Sequence, residues 1–539
     1  MINVLSILFT LSVSGLLLLF IRKPVTESRD FKNQKIYRYG MAFLACTLVF
    51  LLTIELGHIP VGLHVDEAGM AYDALSLARF KVDRFLYVNP VYFINFGGGQ
   101  NALYTYLTSF FLHFLNFNTT TIRLPAVFLA FLSSFCFVRM VKKEKGKKAA
   151  MILMFLLCVL PFMIMHARWG LESYLFFPMS ILSFFCLQKA FMYHKKWWFF
   201  ASGCSLGITL YTYAVAYLIL PIFLLIFFLY ALIRKQVSIK ECFCLGIPLF
   251  FLALPLILML FVNNGIIPEI TTPWLSIPKL FFYRGSEFSL ANILKNWNLF
   301  GILFSQDGLI YNAFSEFGTL YYFSIPLCLY GFVLTCQKGW QTIKERKVSL
   351  DLAVLIFFLS VLLVTLTLDG PNINRANAIY FPLIYFILIG ILELVLKKSF
   401  TIYPLVFVYL IFFGLFSYTY FVRYPNTVHD TYFFVTEENV ADGLSFASQL
   451  DASKIYVLDE GYHQPYIYTV LALEMDPYTF NEQRVMDGAD VVEIGKYHFR
   501  LDEIDEENIY IFLKSEQVPS EMAEYDFQTM NFGSVVVYY

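Results

Sequence analysis

The chain has 539 residues, 58% of them hydrophobic and only 15% charged, more apolar surface than a soluble fold of this length can bury. This excludes a soluble globular protein and defines a polytopic membrane protein. The net charge of -1 shows no basic excess, so no nucleic-acid partner is expected.

Charge is unevenly distributed. Residues 423 to 539 hold 22 Asp+Glu against 6 Lys+Arg, leaving 18 against 33 in the rest, so the tail reads as a separate acidic domain. Aromatic residues make up 19%, suited to lipid contact and to the two interfacial belts. The nine cysteines all lie within or at the ends of apolar stretches, with neither a disulfide framework nor a zinc spacing.

A crossing takes roughly 20 apolar residues. Twelve stretches qualify, near 3–21, 39–57, 122–140, 149–166, 174–193, 197–213, 214–233, 242–262, 318–336, 351–368, 376–396 and 401–422. The first lacks a basic leader and is followed by its basic cluster, so it reads as an uncleaved helix with its N-terminus outside. Short loops rich in Lys and Arg stay cytoplasmic. Arg22 to Arg38, Lys142 to Lys148, Lys195-Lys196, Arg234 to Lys240, Lys338 to Lys347 and Lys397-Lys398 then share one side. Residues 58–121, 167–173, 263–317, 369–375 and the tail fall on the other. Leu103 to Phe117, short and interrupted by Thr, Ser and His, reads as an interfacial or re-entrant helix. The expected organisation is a transmembrane catalytic domain over 1–422, with external loops 58–121 and 263–317, and an extracytoplasmic domain over 423–539.

Within the tail, Lys454–Leu458, Asn508–Leu513 and Ser534–Tyr538 read as strands, while Val440–Leu450 and Tyr466–Leu473 have helical spacing. A small α/β domain is expected. It contains neither a phosphate-binding P-loop nor a strand followed by G-x-G-x-x-G. Gly97-Gly98-Gly99 permits a bend or a phosphate nest.

The chemistry-bearing residues gather on the outer side. Asp66 and Glu67 follow the second span, where two adjacent carboxylates suit work on a lipid-borne substrate. The local alternative is that Asp66 caps a helix running to about Phe80, with Glu67 in its first turn. Arg168 and Glu172 follow the fourth span and are spaced for a local ion pair. Arg375 opens a helix, where a cation opposes the dipole and so points to an anion. The loop 263–317 adds Arg284, Glu287 and Asp307. His64 and His166 read as interfacial polar residues before they read as metal ligands.

In their order along the chain, these residues resemble the GT-C superfamily of membrane glycosyltransferases. The similar branch contains the protein O-mannosyltransferases (glycosyltransferase family 39) and the aminoarabinose transferase of lipid A. Carrying the resemblance over roughly 39–400 are Asp66-Glu67, Ile122-Arg123-Leu124-Pro125, Arg168-x-x-x-Glu172, Leu210-Tyr211-Thr212-Tyr213, and Arg375 with Pro382. Where those relatives carry His-Pro-Pro or Glu-Lys-Pro-Pro-Leu motifs, this chain reads Gly98-Gly99-Gln100-Asn101-Ala102-Leu103-Tyr104, without the lysine.

The resemblance implies a multi-pass enzyme of the bacterial plasma membrane. It would transfer a sugar, with inversion, from a polyprenyl phosphate donor to a lipid, glycan or protein acceptor on the outer face. Asp66 would be the general base, with Glu67 and Glu172 orienting the base or the acceptor. Arg375 or Arg168 would hold the donor phosphate. His64, Gln100, Asn101, Tyr211, Tyr213, Asn374 and Asp307 would be substrate contacts. No cofactor is required, although Asp66 and Glu172 offer oxygens for a divalent cation. The alternative is a transporter or lipid flippase, which would favour ionisable groups at midplane in repeated halves. The spans contain very few charges, Glu55 and Glu393 near their ends among them.

Overall fold

The computed structural model describes residues 2–20, 34–283, 288–426, 434–435, 437–459, 464–514 and 517–539. Among these, eight helices are long and apolar enough to cross a membrane. One of them, Thr119–Val159, covers two expected stretches and is broken at Gly146, whose φ of 87° lies inside the Lys142 to Lys148 run. By this measure the expected twelve crossings are not reproduced. Lys196–Leu210 has only 15 residues, and Ile325–Lys344 starts seven residues after its expected beginning. Ala102–Leu112, at 11 residues, is too short to cross, in keeping with its sequence.

The chain forms two compact units. The first comprises Met1–Ile54, Ala126–Leu254 and Gly285–Tyr420, and its described secondary structure is helical. Its core is aromatic: Phe184, Phe223, Phe357 and Phe381 meet edge to face, stacked or tilted, with centroids 4.9 to 5.9 Å apart. Helices Ile325–Lys344 and Tyr380–Lys397 pack closely because Gly331 and Gly390 have no side chains. A Cβ at Gly331 would strike the Phe386 carbonyl, and one at Gly390 the Leu327 carbonyl. Small residues are the usual device for bringing membrane helices into backbone contact.

The second unit comprises Glu55–Pro125, Pro255–Arg284 and Phe421–Tyr539, and it holds every described strand. In order these are β1 Leu63–His64, β2 Tyr92–Asn95, β3 Gly98–Asn101, β4 Ile270–Thr271, β5 Ser276–Ile277, β6 Phe434–Val435, β7 Ile455–Leu458, β8 Arg484–Asp487, β9 Asp490–Ile494, β10 Tyr497–His498, β11 Ile509–Phe512, β12 Thr529–Phe532 and β13 Val535–Tyr538. The largest sheet runs β12-β13-β11-β7-β10-β9-β8, with β7 parallel to both β11 and β10. Its centre, β7 and β11, is buried along its whole length, which explains the unbroken apolar runs. Tyr456, Leu458, Tyr510, Phe512, Val536 and Met522 form one core cluster. Helix Glu437–Ser448 sets Gly443 against Ile511, Val535 and Val537. The three strands and two helices expected in the tail are all present. The short strands β6, β8, β9, β10 and β12 are added to them.

Candidate active site

Helix Val65–Phe80 places the acidic pair. Its cap is His64, not Asp66: His64 Nδ1 accepts from the Asp66 amide at 3.1 Å, and Glu67 Oε2 accepts from the His64 amide at 3.0 Å. This is the reciprocal capping box, with a histidine in place of the usual hydroxyl. The helix ends at Phe80, as its sequence predicts.

The two acids have different environments. Glu67 is fully buried and receives Arg123, with Nε to Oε1 at 3.1 Å and Nη2 to Oε2 at 3.3 Å. The remaining guanidinium protons go to the carbonyls of Leu56 at 3.0 Å, Pro60 at 2.8 Å and Gly62 at 2.6 Å. This buried fork fixes the loop that enters the helix. Asp66, whose side chain is 44% exposed, receives only a long 3.4 Å contact from Asn95 Nδ2 on its Oδ1, while its Oδ2 lies 3.7 Å from His64 Nδ1. Its backbone carbonyl faces Gln100 Nε2 at 3.4 Å.

Asn95 and Gln100 come from the hairpin β2–β3. Its loop residues Phe96 and Gly97 have φ of 50° and 76°, as in a two-residue hairpin turn, so the glycine run makes a bend. The Tyr92 ring lies across Gly99, where a Cβ would overlap it. Asn95 Oδ1 and Gln100 Oε1 are buried without a hydrogen-bond partner. Asn101 is buried at the head of helix Ala102–Leu112.

Farther along helix Val65–Phe80, Asp73 and Arg84 form a second buried pair, with Nε to Oδ1 at 3.0 Å and Nη2 to Oδ2 at 2.7 Å. Arg84 Nη1 also donates to the Tyr466 hydroxyl at 3.1 Å, and Tyr468 donates to the Leu63 carbonyl at 3.2 Å. Asp83 accepts the amides of Phe85 and Tyr87 on Oδ1, and its Oδ2 is buried without a partner. Burial, reinforced by the nearby Asp73 charge, pushes the Asp83 carboxyl up to about 8.

The other expected site residues belong to the membrane unit. Arg168 is fully buried and ends helix Pro161–Ala167, while Glu172 opens a separate 3-10 turn. The two therefore do not share one helix, as their spacing suggested. The Arg168 guanidinium donates to the carbonyls of Leu51 and Ile54. Arg375, partly exposed, donates from Nη1 to the Asp369 carbonyl at 2.8 Å, and its amide is capped by Asn372. Asp307 accepts from Asn312 at 2.7 Å and from the Ile373 amide at 3.0 Å, tying two loops together. His166 Nε2 meets the Asn312 carbonyl at 3.0 Å. Asn374 Oδ1 is buried without a partner. Tyr211 donates to the Leu252 carbonyl at 2.7 Å, and Tyr213 is half-buried beyond the end of helix Lys196–Leu210. Arg284 and Glu287 lie outside the described residues. Among those described, no group of three or more His, Cys, Asp or Glu is placed to hold a metal ion.

Arg123 and Asn95 are the site residues that sequence reasoning missed. The signal for Arg123 was present: a charged residue opening a long apolar stretch needs a partner.

No family model and no curated protein matches the sequence. Similar solved structures do exist. ArnT from Cupriavidus metallidurans bound to undecaprenyl phosphate is 10% identical, with 94% of this chain and 98% of that one covered at a TM-score of 0.54. The apo state of the same protein is 10% identical, with 93% and 98% covered at 0.55. The chain thus shares its overall fold with ArnT.

Proposed function

We propose that this multi-pass membrane protein is an inverting glycosyltransferase of the plasma membrane that takes a sugar from a polyprenyl phosphate donor at the extracytoplasmic face. The fold shared with ArnT, solved with undecaprenyl phosphate bound, supports this reading. The observation that carries it is the division of labour within the acidic pair. Glu67 is buried, with both oxygens bound, whereas Asp66 is exposed and lightly held. A general base must reach its proton and be free to take it. In the reaction, the acceptor oxygen bonds to the anomeric carbon as its proton passes to Asp66. The bond from that carbon to the phosphate oxygen breaks, and the lipid phosphate leaves with the electron pair.

Glu67 orients the base through the cap and acts as a positioning residue. The departing phosphate calls for a fixed cation. We assign Arg375, which is partly exposed, in preference to Arg168, which is fully buried. The acceptor is a hydroxyl of a lipid, glycan or protein.

The test uses purified protein in nanodiscs with a panel of polyprenyl-phosphate hexoses and pentoses, reading release of polyprenyl phosphate. Asp66→Asn should lower kcat by at least a hundredfold, within the range of general-base contributions, with an unchanged melting temperature. Normal turnover by that variant would sink the assignment. Arg375→Ala should weaken donor binding, measured as an increased KM.

A further inference from the structure

In the membrane unit, the segment 288–304 is pinned by two asparagines and exposes four large apolar side chains. Two of its polar side chains face inward: Asn292 Nδ2 donates to the Thr367 carbonyl at 3.0 Å, and Asn296 Nδ2 to those of Leu366 at 2.9 Å and Leu368 at 2.7 Å. The Ser289 amide also reaches Thr367 O at 2.9 Å, and Phe288 bridges to Leu368. These carbonyls close the apolar helix Leu350–Thr367, one of the eight membrane-length helices. The last carbonyls of any helix lack partners within it. The asparagines supply them and fix the segment at the level where that span ends.

Leu299, Leu303 and Phe304 are buried, whereas four other large apolar side chains of the segment are exposed. Leu290 is 76% exposed, Leu294 85%, Trp297 81% and Phe300 48%. Their neighbour Lys295 is exposed as well. On helix Leu350–Thr367 itself, Leu359 and Leu363 are exposed. Trp and Phe are characteristic of the bilayer interface, and a lysine stem can lie along apolar surface with its ammonium at the headgroups.

We propose that residues 288–304 form an interfacial foot whose Leu290, Leu294, Trp297 and Phe300 enter the boundary between phospholipid headgroups and acyl chains. The occupant is lipid because the patch is pinned to the end of a membrane-length apolar helix that itself exposes Leu359 and Leu363. Lys295 supplies the cation for the lipid phosphates. This inference concerns membrane seating and stands independently of the proposed reaction.

The experiment places the full chain in nanodiscs at one chain per disc. The emission of Trp297 is obtained as the difference between the parent and Trp297→Phe, once the two are shown to melt alike. Lipids brominated high on the acyl chain should remove most of that emission, lipids brominated near the bilayer centre should remove less, and iodide in the buffer should remove little. Iodide quenching with no effect of bromine would overturn the proposal. So would bromine quenching or iodide protection that appears only when two chains share a disc, because the occupant would then be a second copy. Leu294→Cys carrying a polarity-sensitive dye gives a second readout. Its emission should be blue-shifted in the one-chain disc, and a water-like spectrum there would equally defeat the idea.

Discussion

Arg123 shows most clearly what a single side chain does in this protein. Its five N–H groups meet two carboxylate oxygens and three loop carbonyls, a planar fork that an ammonium with three donors cannot reproduce. Arg123→Ala leaves Glu67 buried without its counter-charge, a change expected to cost about 3–5 kcal/mol. Arg123→Lys should recover only part of it. Chemical denaturation followed by tryptophan emission would show both losses, and wild-type stability in Arg123→Lys would disprove the fork's importance. The acidic pair and the arginine were each visible as letters, and the Ile-Arg-Leu-Pro run was singled out. What the letters did not show is that Glu67 and Arg123 belong to each other, because their partnership spans 56 positions and is completed by backbone carbonyls. The capping histidine was hidden for a related reason, since capping preferences point first to Ser, Thr, Asp and Asn.

The turn after helix Val65–Phe80 carries a titration. Asp83 in the folded chain titrates at about 8, well above the roughly 3.9 of a free aspartate. Between those values the folded state holds a proton that the unfolded state has lost, so stability is greatest at the acidic end and falls as pH rises through 8. Asp83→Asn keeps the Oδ1 acceptor for the Phe85 and Tyr87 amides and removes the charge. Melting temperatures from pH 6 to 9 should therefore fall less steeply in Asp83→Asn than in the parent; parallel curves would count against the buried carboxyl as the cause. Elements as such were well read from the sequence, since long apolar spans and continuous strand cores such as Ile509–Phe512 announce themselves by period and length. The five short strands of the tail did not, because two to five residues each carry too few side chains to establish a period.

At the scale of the molecule, the tail shares a compact unit with 55–125 and 255–284, an arrangement that charge composition alone could not reveal. Within that unit, Tyr466 meets Arg84, Tyr468 the Leu63 carbonyl, Glu474 Arg79 at 2.6 Å, and the Met475 carbonyl the Tyr72 hydroxyl at 2.9 Å. Removal of 437–539 should accordingly do more than delete an appendage. It should make residues 63–90 susceptible to limited proteolysis, mapped by mass spectrometry, and abolish turnover. A truncated chain whose 63–90 region resists protease as the parent does would refute this. The pairing of Leu63 and His64 with Val435 and Phe434 also sets a timetable for biosynthesis. About 370 residues are translated after the capping histidine before its strand partner exists, roughly 20–70 s of ribosome time at ~5–20 residues per second. A nascent chain therefore passes that interval without the strand that completes this pairing.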